Sequence, residues 1–268
     1  MAGRITVSDI ASRKGATPIV VLTCYTATMA RILDEHVDVL LVGDSMGMVV
    51  YGMKGTNGVT LDTMIAHGKA VTGATSRAMV IMDLPAGSYE ASPEQALLSS
   101  CRVMAETGAD AVKLEGGVDR AAIIAHLVAN KIPVVGHVGL LPQRVTSPDG
   151  FRYQGRTPED AARIMADALA VERAGAFAVV IEAVAETVAR EITARLRIPT
   201  IGIGASPACD GQVLVTEDML GLTGRTPSFV KHYANLADTV GQAVKHYANE
   251  VKSRAFPSAE YYFTGKKK

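Results

Sequence analysis

Residues 107–115 read TGADAVKLE, and residues 174–182 read AGAFAVVIE. The two align without a gap, each carrying a glycine, a short alanine-valine run and a terminal glutamate, Glu115 in one and Glu182 in the other. A buried strand that closes on a carboxylate places that charge at the carboxyl rim of a parallel sheet, where α/β sheets and barrels build their active sites. The same ending recurs in VDVLLVGD, which closes on Asp44, and in AMVIMD, which closes on Asp83. Repeated acids at strand ends point to an enzyme.

Short apolar runs extend this pattern along the chain, at 18–24, 37–42, 78–82, 111–114, 133–136, 178–181 and 200–203, with a weaker eighth at 219–222. They are too short for buried helices and rich in Val and Ile, as expected of strands buried on both faces. Helical patterns lie between them. Ser92-Pro93-Glu94-Gln95 places a capping serine before a helix-starting proline, with Gln95 set to reach back as in a capping box, and Thr157-Pro158-Glu159-Asp160 repeats the device. Gly108 and Gly175 follow the ends of these two helices, where a C-cap requires positive φ. Alternation sustained over 268 residues predicts one (β/α)8 TIM barrel spanning 1–268, with a helical tail over 227–254 and a C-terminal extension over 255–268. The segment 141–158 reads as a long loop on the active face or a lid.

Lys113 and Glu115 are two apart and share one face of their strand. If they faced outward, an ionised pair would be buried against helices at high cost, so we expect both to point into the barrel, with Glu115 and Glu182 at matching heights.

Composition narrows the partners. The 27 basic residues balance the 27 acidic ones, which leaves no broad positive field for nucleic acid. No apolar stretch approaches the roughly 18 residues of a membrane span, and the N-terminus lacks the apolar core of a signal peptide, so a cytoplasmic protein is expected. Cys24, Cys101 and Cys209 are scattered without a C-x-x-C pair and read as reduced.

Asp44, Asp83 and Glu115 offer only hard oxygen ligands, which suit Mg²⁺ better than Zn²⁺. Each taken singly also reads as a loop acid beside a turn; three at one rim repel unless a cation or proton intervenes. Lys113 is either a clamp for a substrate carboxylate or an ion-pair partner of Glu115. Glu182 lies in the apolar run AVVIEAV and is a candidate general base, since desolvation makes a carboxylate a better proton acceptor near neutrality. His137 is either a substrate hydrogen-bonding group or a structural histidine. The run from Gly202 to Ser206 follows the seventh apolar run, where many barrels bind phosphate, but fails as a dinucleotide fingerprint because Pro207 stands where the third glycine belongs; its other reading is a close backbone turn.

The ordered set LLVGDSMGM around Asp44, Asp83-Leu84-Pro85, VKLEGG, GHVGLLPQ, Tyr153-Gln154-Gly155, Glu182 and IGIGAS resembles the ketopantoate hydroxymethyltransferase family. That resemblance implies a (β/α)8 barrel that uses Mg²⁺ and takes 5,10-methylenetetrahydrofolate as co-substrate. It implies transfer of a hydroxymethyl group to 3-methyl-2-oxobutanoate, giving 2-dehydropantoate, the first step toward pantothenate and coenzyme A. By matching motifs it assigns Asp44, Asp83 and Glu115 to the metal, Asp44, Ser45, Asp83 and Lys113 to the ketoacid, and Glu182 to the base. It also implies a large homo-oligomer, commonly a decamer. The chain departs from the family where it has Cys24-Tyr25-Thr26 in place of Ala-Tyr-Asp, and Ala86 in place of a common phenylalanine. Two other readings compete. One is the metal-dependent isocitrate lyase and phosphoenolpyruvate mutase group, whose lyases carry a Lys-Lys-Cys-Gly-His loop that this sequence lacks; the other is a non-catalytic barrel scaffold.

Overall fold

The computed structural model describes residues 3–147, 150–224 and 226–265. Two compact units make up the chain, Met1–Thr216 and Glu217–Lys268. The first holds β1 (Ile19–Thr23), β2 (Val39–Val42), β3 (Met79–Asp83), β4 (Ala111–Glu115), β5 (Val134–Gly139), β6 (Ala178–Glu182), β7 (Thr200–Ile203) and β8 (Gly211–Leu214). All pair in parallel and close in chain order, β8 returning to β1, which is the predicted eight-stranded barrel.

Helix α1 (Val7–Ala11) precedes β1, and α2 (Ala27–Leu33), the pair α3 (Met46–Val49) and α4 (Leu61–Thr72), α5 (Pro93–Thr107), α6 (Ala121–Ala129), α7 (Pro158–Arg173) and α8 (Glu186–Arg195) fill the successive connections from β1 to β7, while β7 runs to β8 without a helix. Helix α9 (Thr216–Met219) follows β8, and the second unit contains α10 (Leu236–Ser253).

Side-chain alternation sorts the core into two apolar clusters. Ile19, Val21, Leu41, Ile81, Ala111, Val135, Val180 and Val213 fill the barrel interior, joined from below by Ile10 of α1. Val42, Met82, Val112, Leu114, Val138 and Ile181 face the helices instead. In β4 the odd positions therefore point inward, and Lys113 and Glu115 do so as expected. Register confirms the matched heights. Glu115 pairs with His137 and His137 with Val180, and the one-residue stagger per strand in a barrel of shear about 8 lifts the level position on β6 by two residues, to Glu182.

The eighth strand lies earlier than the sequence reading placed it. Residues 211–214 form β8, whereas 219–222 lie at the end of α9 and in the turn after it. Gln212 of β8 is exposed on the outer face, so this strand alternates apolar and polar and lacks the continuous apolar run used to find the others. The tail is corrected too. Its helix begins at Leu236, because the N–H groups of Tyr233 and Leu236 bond back to the carbonyls of Met219 and Leu220 and not along a helix; Phe229 and Tyr233 precede it. Within the 141–158 loop, Pro142–Arg144 forms a 3-10 turn, and Pro148 and Asp149 lie outside the described residues. No helix among the described residues is long and apolar enough to cross a membrane.

Caps form largely as read. The Ser92 hydroxyl accepts from the N–H of Gln95, and Gly108 takes φ 71° at the C-cap of α5. The Gln95 carbonyl reaches one residue beyond the cap, accepting from the N–H of Ala91 at 2.9 Å.

Gly139 ends β5 opposite Glu182 with φ 93°, and a Cβ there would lie 2.4 Å from the Glu182 carbonyl oxygen. Gly139→Ala combines left-handed strain with a clash against fixed backbone, so it should destabilise the barrel by at least about 1–3 kcal/mol. Chemical denaturation measures this, and an unchanged midpoint would contradict the close approach.

Candidate active site

Above the apolar interior, the inward positions of β3 to β6 turn charged. Asp83 closes β3, Lys113 and Glu115 are the last inward residues of β4, His137 points inward from β5, and Glu182 ends β6. Asp44 follows β2 by two residues, and Ser45 leads into α3. Asp44, Asp83, Lys113, Glu115 and His137 are all buried, while Ser45 and Glu182 are partly open. The structure thus brings every sequence-predicted site residue to one rim.

Lys113 pairs with Asp83, its Nζ lying 3.0 Å from Oδ1, and not with Glu115 as one sequence reading had it. Burial alone would discharge this amine, but the carboxylates of Asp83, Glu115 and Asp44 outweigh that cost and hold its pKa above the usual value. Nζ also lies 3.2 Å from Nδ1 of His137. An ammonium can only donate, so Nδ1 accepts and the imidazole carries its proton on Nε2. Burial and the Lys113 charge both lower the pKa of His137, keeping it neutral. Its Nε2 lies 3.1 Å from Glu182 Oε2, off the ideal hydrogen-bond line.

Asp44 and Asp83 are held together from the backbone, with the Asp44 N–H donating to Asp83 Oδ2 at 3.1 Å. Burial and the Asp83 charge push the Asp44 carboxyl up to about 7. Glu115 is also raised, by burial and then by Asp44. Its carboxylate accepts from the backbone N–H of Gln143, 3.1 Å from Oε2. Ser45 Oγ meets the Tyr25 hydroxyl at 2.8 Å.

Four carboxylates, Asp44, Asp83, Glu115 and Glu182, therefore face a single ammonium and a neutral imidazole. In a buried setting they cannot all ionise without a further cation or protons. The donor set fits a hard divalent ion: the Asp44 backbone N–H is bonded to the Asp83 carboxylate, and Asp83 Oδ1 makes no aligned hydrogen bond despite its burial. Among the described residues no three acidic, histidine or cysteine side chains form a ready-made metal cage. Mg²⁺ commonly takes one or two carboxylates and fills its remaining positions with water and substrate, so this arrangement suits it.

Two residues of the site were missed by sequence reading. Tyr89 is buried, and its hydroxyl accepts from the Glu115 N–H at 3.2 Å. Gln143 bonds to Asp44 and Glu115 together. The signal for Gln143 was its place at the end of GHVGLLPQ; a neutral amide after a proline turn carries no charge to draw notice. Of IGIGAS, residues 201–203 belong to β7 and the chain bends only at Gly204 (φ 57°) and Ala205, with Ser206 Oγ donating to Glu186 Oε1 at 2.8 Å.

The backbone after Glu182 is strained, Ala183 adopting φ 46°. Its carbonyl accepts from the Gln154 N–H at 2.6 Å and its N–H donates to the Ile203 carbonyl at 2.8 Å, which fixes the direction in which Glu182 leaves β6.

Comparison with known proteins follows the same lines. A family model described as ketopantoate hydroxymethyltransferase matches residues 4–259. The protein named 3-methyl-2-oxobutanoate hydroxymethyltransferase from Rhizobium rhizogenes (strain K84) is 57% identical over 265 residues, covering 98% of this chain and 97% of its own. Its namesake from Bordetella petrii is 56% identical over 261 residues, covering 97% of this chain and 95% of its own. Among solved structures, 2,3-dimethylmalate lyase of the PEP mutase/isocitrate lyase superfamily aligns at TM-score 0.60 with 17% identity, over 96% of this chain and 87% of that one. A phosphonopyruvate hydrolase in complex with oxalate and Mg²⁺ aligns at TM-score 0.60 with 13% identity, over 95% and 93%. At these identities the structural likeness shows a shared barrel.

Proposed function

The chain belongs to the ketopantoate hydroxymethyltransferase family, and from that premise we propose how its rim works. It is a hydroxymethyltransferase of pantothenate biosynthesis. On our reading, 3-methyl-2-oxobutanoate binds against Asp44, Ser45, Asp83 and Lys113, and Glu182 removes the proton from C3. The carbon so activated adds to the one-carbon unit of 5,10-methylenetetrahydrofolate; with one water consumed, 2-dehydropantoate and tetrahydrofolate are released. A cytoplasmic homodecamer is part of the same proposal and rests on the family.

The observation that carries this reading is the single buried ammonium set between a carboxylate pair and a neutral histidine. Among the described residues Lys113 is the buried cation of the rim, and we assign its Nζ to balance the substrate carboxylate. His137 holds its protonated Nε2 3.1 Å from Glu182 Oε2, and Oε1 is the oxygen we assign to accept the C3 proton. Ser45, tied to Tyr25, offers a hydroxyl beside the Asp44–Asp83 pair. Mg²⁺ held by Asp44, Asp83 and Glu115 would supply a Lewis acid for the ketone oxygen.

Incubation of the ketoacid with methylenetetrahydrofolate tests the assignment. We expect 2-dehydropantoate only with both substrates and a divalent ion; its absence under those conditions would overturn it.

A pH dependence follows from Asp44. Its folded pKa of about 7 lies above the ordinary aspartate value of 3.8, so across that interval the folded chain holds a proton that the unfolded chain has released. Stability of the metal-free protein should therefore fall as pH rises from about 4 to about 7. Mg²⁺ binds the ionised form, so it should raise the melting temperature more at pH 8 than at pH 5. Equal metal effects at both values would count against a metal at Asp44.

A further inference from the structure

Gln143 enters the rim from the turn after β5 and grips two carboxylates at once. Its Nε2 donates to Asp44 Oδ2 at 2.7 Å and to the Leu84 carbonyl at 3.0 Å, while its backbone N–H donates to Glu115. The orientation of the amide is fixed by its neighbours. The Tyr89 oxygen accepts from the Glu115 N–H at 3.2 Å and lies 2.6 Å from Gln143 Oε1, so the phenolic proton goes to the amide oxygen. Turned the other way, the amide would set Oε1 against the Asp44 carboxylate and the Leu84 carbonyl, acceptor facing acceptor. Asp44 follows β2 and Glu115 ends β4, two strands separated by β3. No strand ladder joins these two acids directly, and Gln143 is the residue that bonds to both.

We infer that Gln143 is a positioning residue of the reaction, a clamp that sets the spacing of Asp44 and Glu115 around the bound ketoacid, with Tyr89 as its lock. The inference rests on reading the rim as a ketoacid site. Its physical content is the removal of freedom: Asp44 keeps one oxygen occupied by the amide and presents the other, and Glu115 is tethered by a main-chain donor that no side-chain substitution removes.

A residue that merely filled space would rank its variants differently from a clamp. Gln143→Glu keeps the shape of glutamine but replaces the donor with a carboxylate facing Asp44; Gln143→Met keeps the bulk and offers nothing polar. We expect both to slow exchange of the C3 proton of 3-methyl-2-oxobutanoate into heavy water by about 10–100-fold, with Gln143→Glu the slower. The reverse order, with Gln143→Glu close to wild type, overturns the clamp.

A second measurement needs no catalysis. In Asp44→Asn/Gln143→Glu the bond re-forms with donor and acceptor exchanged, so the double variant should melt above Gln143→Glu alone. Equal melting temperatures overturn the clamp. If wild-type protein itself catalyses no exchange, the proposed function fails, and the melting comparison still decides whether Gln143 holds Asp44.

Discussion

Glu182→Gln is expected to slow exchange of the C3 proton of 3-methyl-2-oxobutanoate into heavy water by about 10²–10⁴-fold while leaving ketoacid affinity near wild type. The glutamine is isosteric, and its amide oxygen can still accept from His137 Nε2, 3.1 Å from Oε2 in the native site. Packing and the Lys113–His137 contact are therefore retained, and what disappears is the ability to hold a proton. Exchange in the absence of folate isolates this step from the later carbon–carbon bond formation. Calorimetric titration of the ketoacid supplies the binding control. A variant that exchanges at the wild-type rate would remove Glu182 from the role of base, whatever its effect on the whole reaction.

Lys113→Met should have the largest effect on stability. The Lys113–Asp83 pair is nearly inaccessible, with side-chain exposures of 7% and 5%. Removing one partner of such a pair leaves a buried charge uncompensated, at a cost of about 3–5 kcal/mol. Methionine fills most of the volume, so a cavity accounts for little of that loss. The double variant Asp83→Asn/Lys113→Met, which buries no charge, should recover much of it. Denaturant unfolding measures both, and a single variant within about 1 kcal/mol of wild type would contradict the pairing. Lys113→Met should also bind the ketoacid poorly, because His137 is neutral and among the described residues no other cation is paired with the Asp44–Asp83 carboxylates.

The barrel was legible because most of its strands are buried on both faces and read as continuous apolar runs. β8 escaped for a definite reason: Gln212 lies on an exposed outer face, so an alternating four-residue strand was passed over for a more apolar stretch at 219–222. The tail helix was drawn too long for a related reason. Phe229 and Tyr233 keep helical spacing, yet the N–H of Tyr233 bonds to the Met219 carbonyl, a partner 14 residues away that spacing does not reveal.

The acids of the site announced themselves through their position at strand ends, and the inward direction of Lys113 followed from the cost of the alternative. Which acid Lys113 would choose was not legible. Glu115 is its neighbour along β4, but Asp83 lies directly across the ladder from it, and register decided the pairing. Tyr89 and Gln143 stayed hidden because neither carries charge and each acts on residues far away in sequence. Tyr89 reaches Glu115 across 26 positions and Gln143 reaches Asp44 across 99. Sequence reading finds the groups that do chemistry more readily than the neutral groups that aim them.

The central claim is that one divalent ion and one ketoacid share the rim between Asp44, Asp83 and Lys113, with Glu182 facing C3. Crystals soaked with Mn²⁺ and 3-methyl-2-oxobutanoate test it through the anomalous signal of the metal. The account predicts a single peak at coordinating distance from Asp44 and Asp83, the ketoacid carboxylate toward Lys113, and Glu182 Oε1 within hydrogen-bond reach of C3. A peak elsewhere, or a ketoacid whose C3 faces away from Glu182, would contradict it.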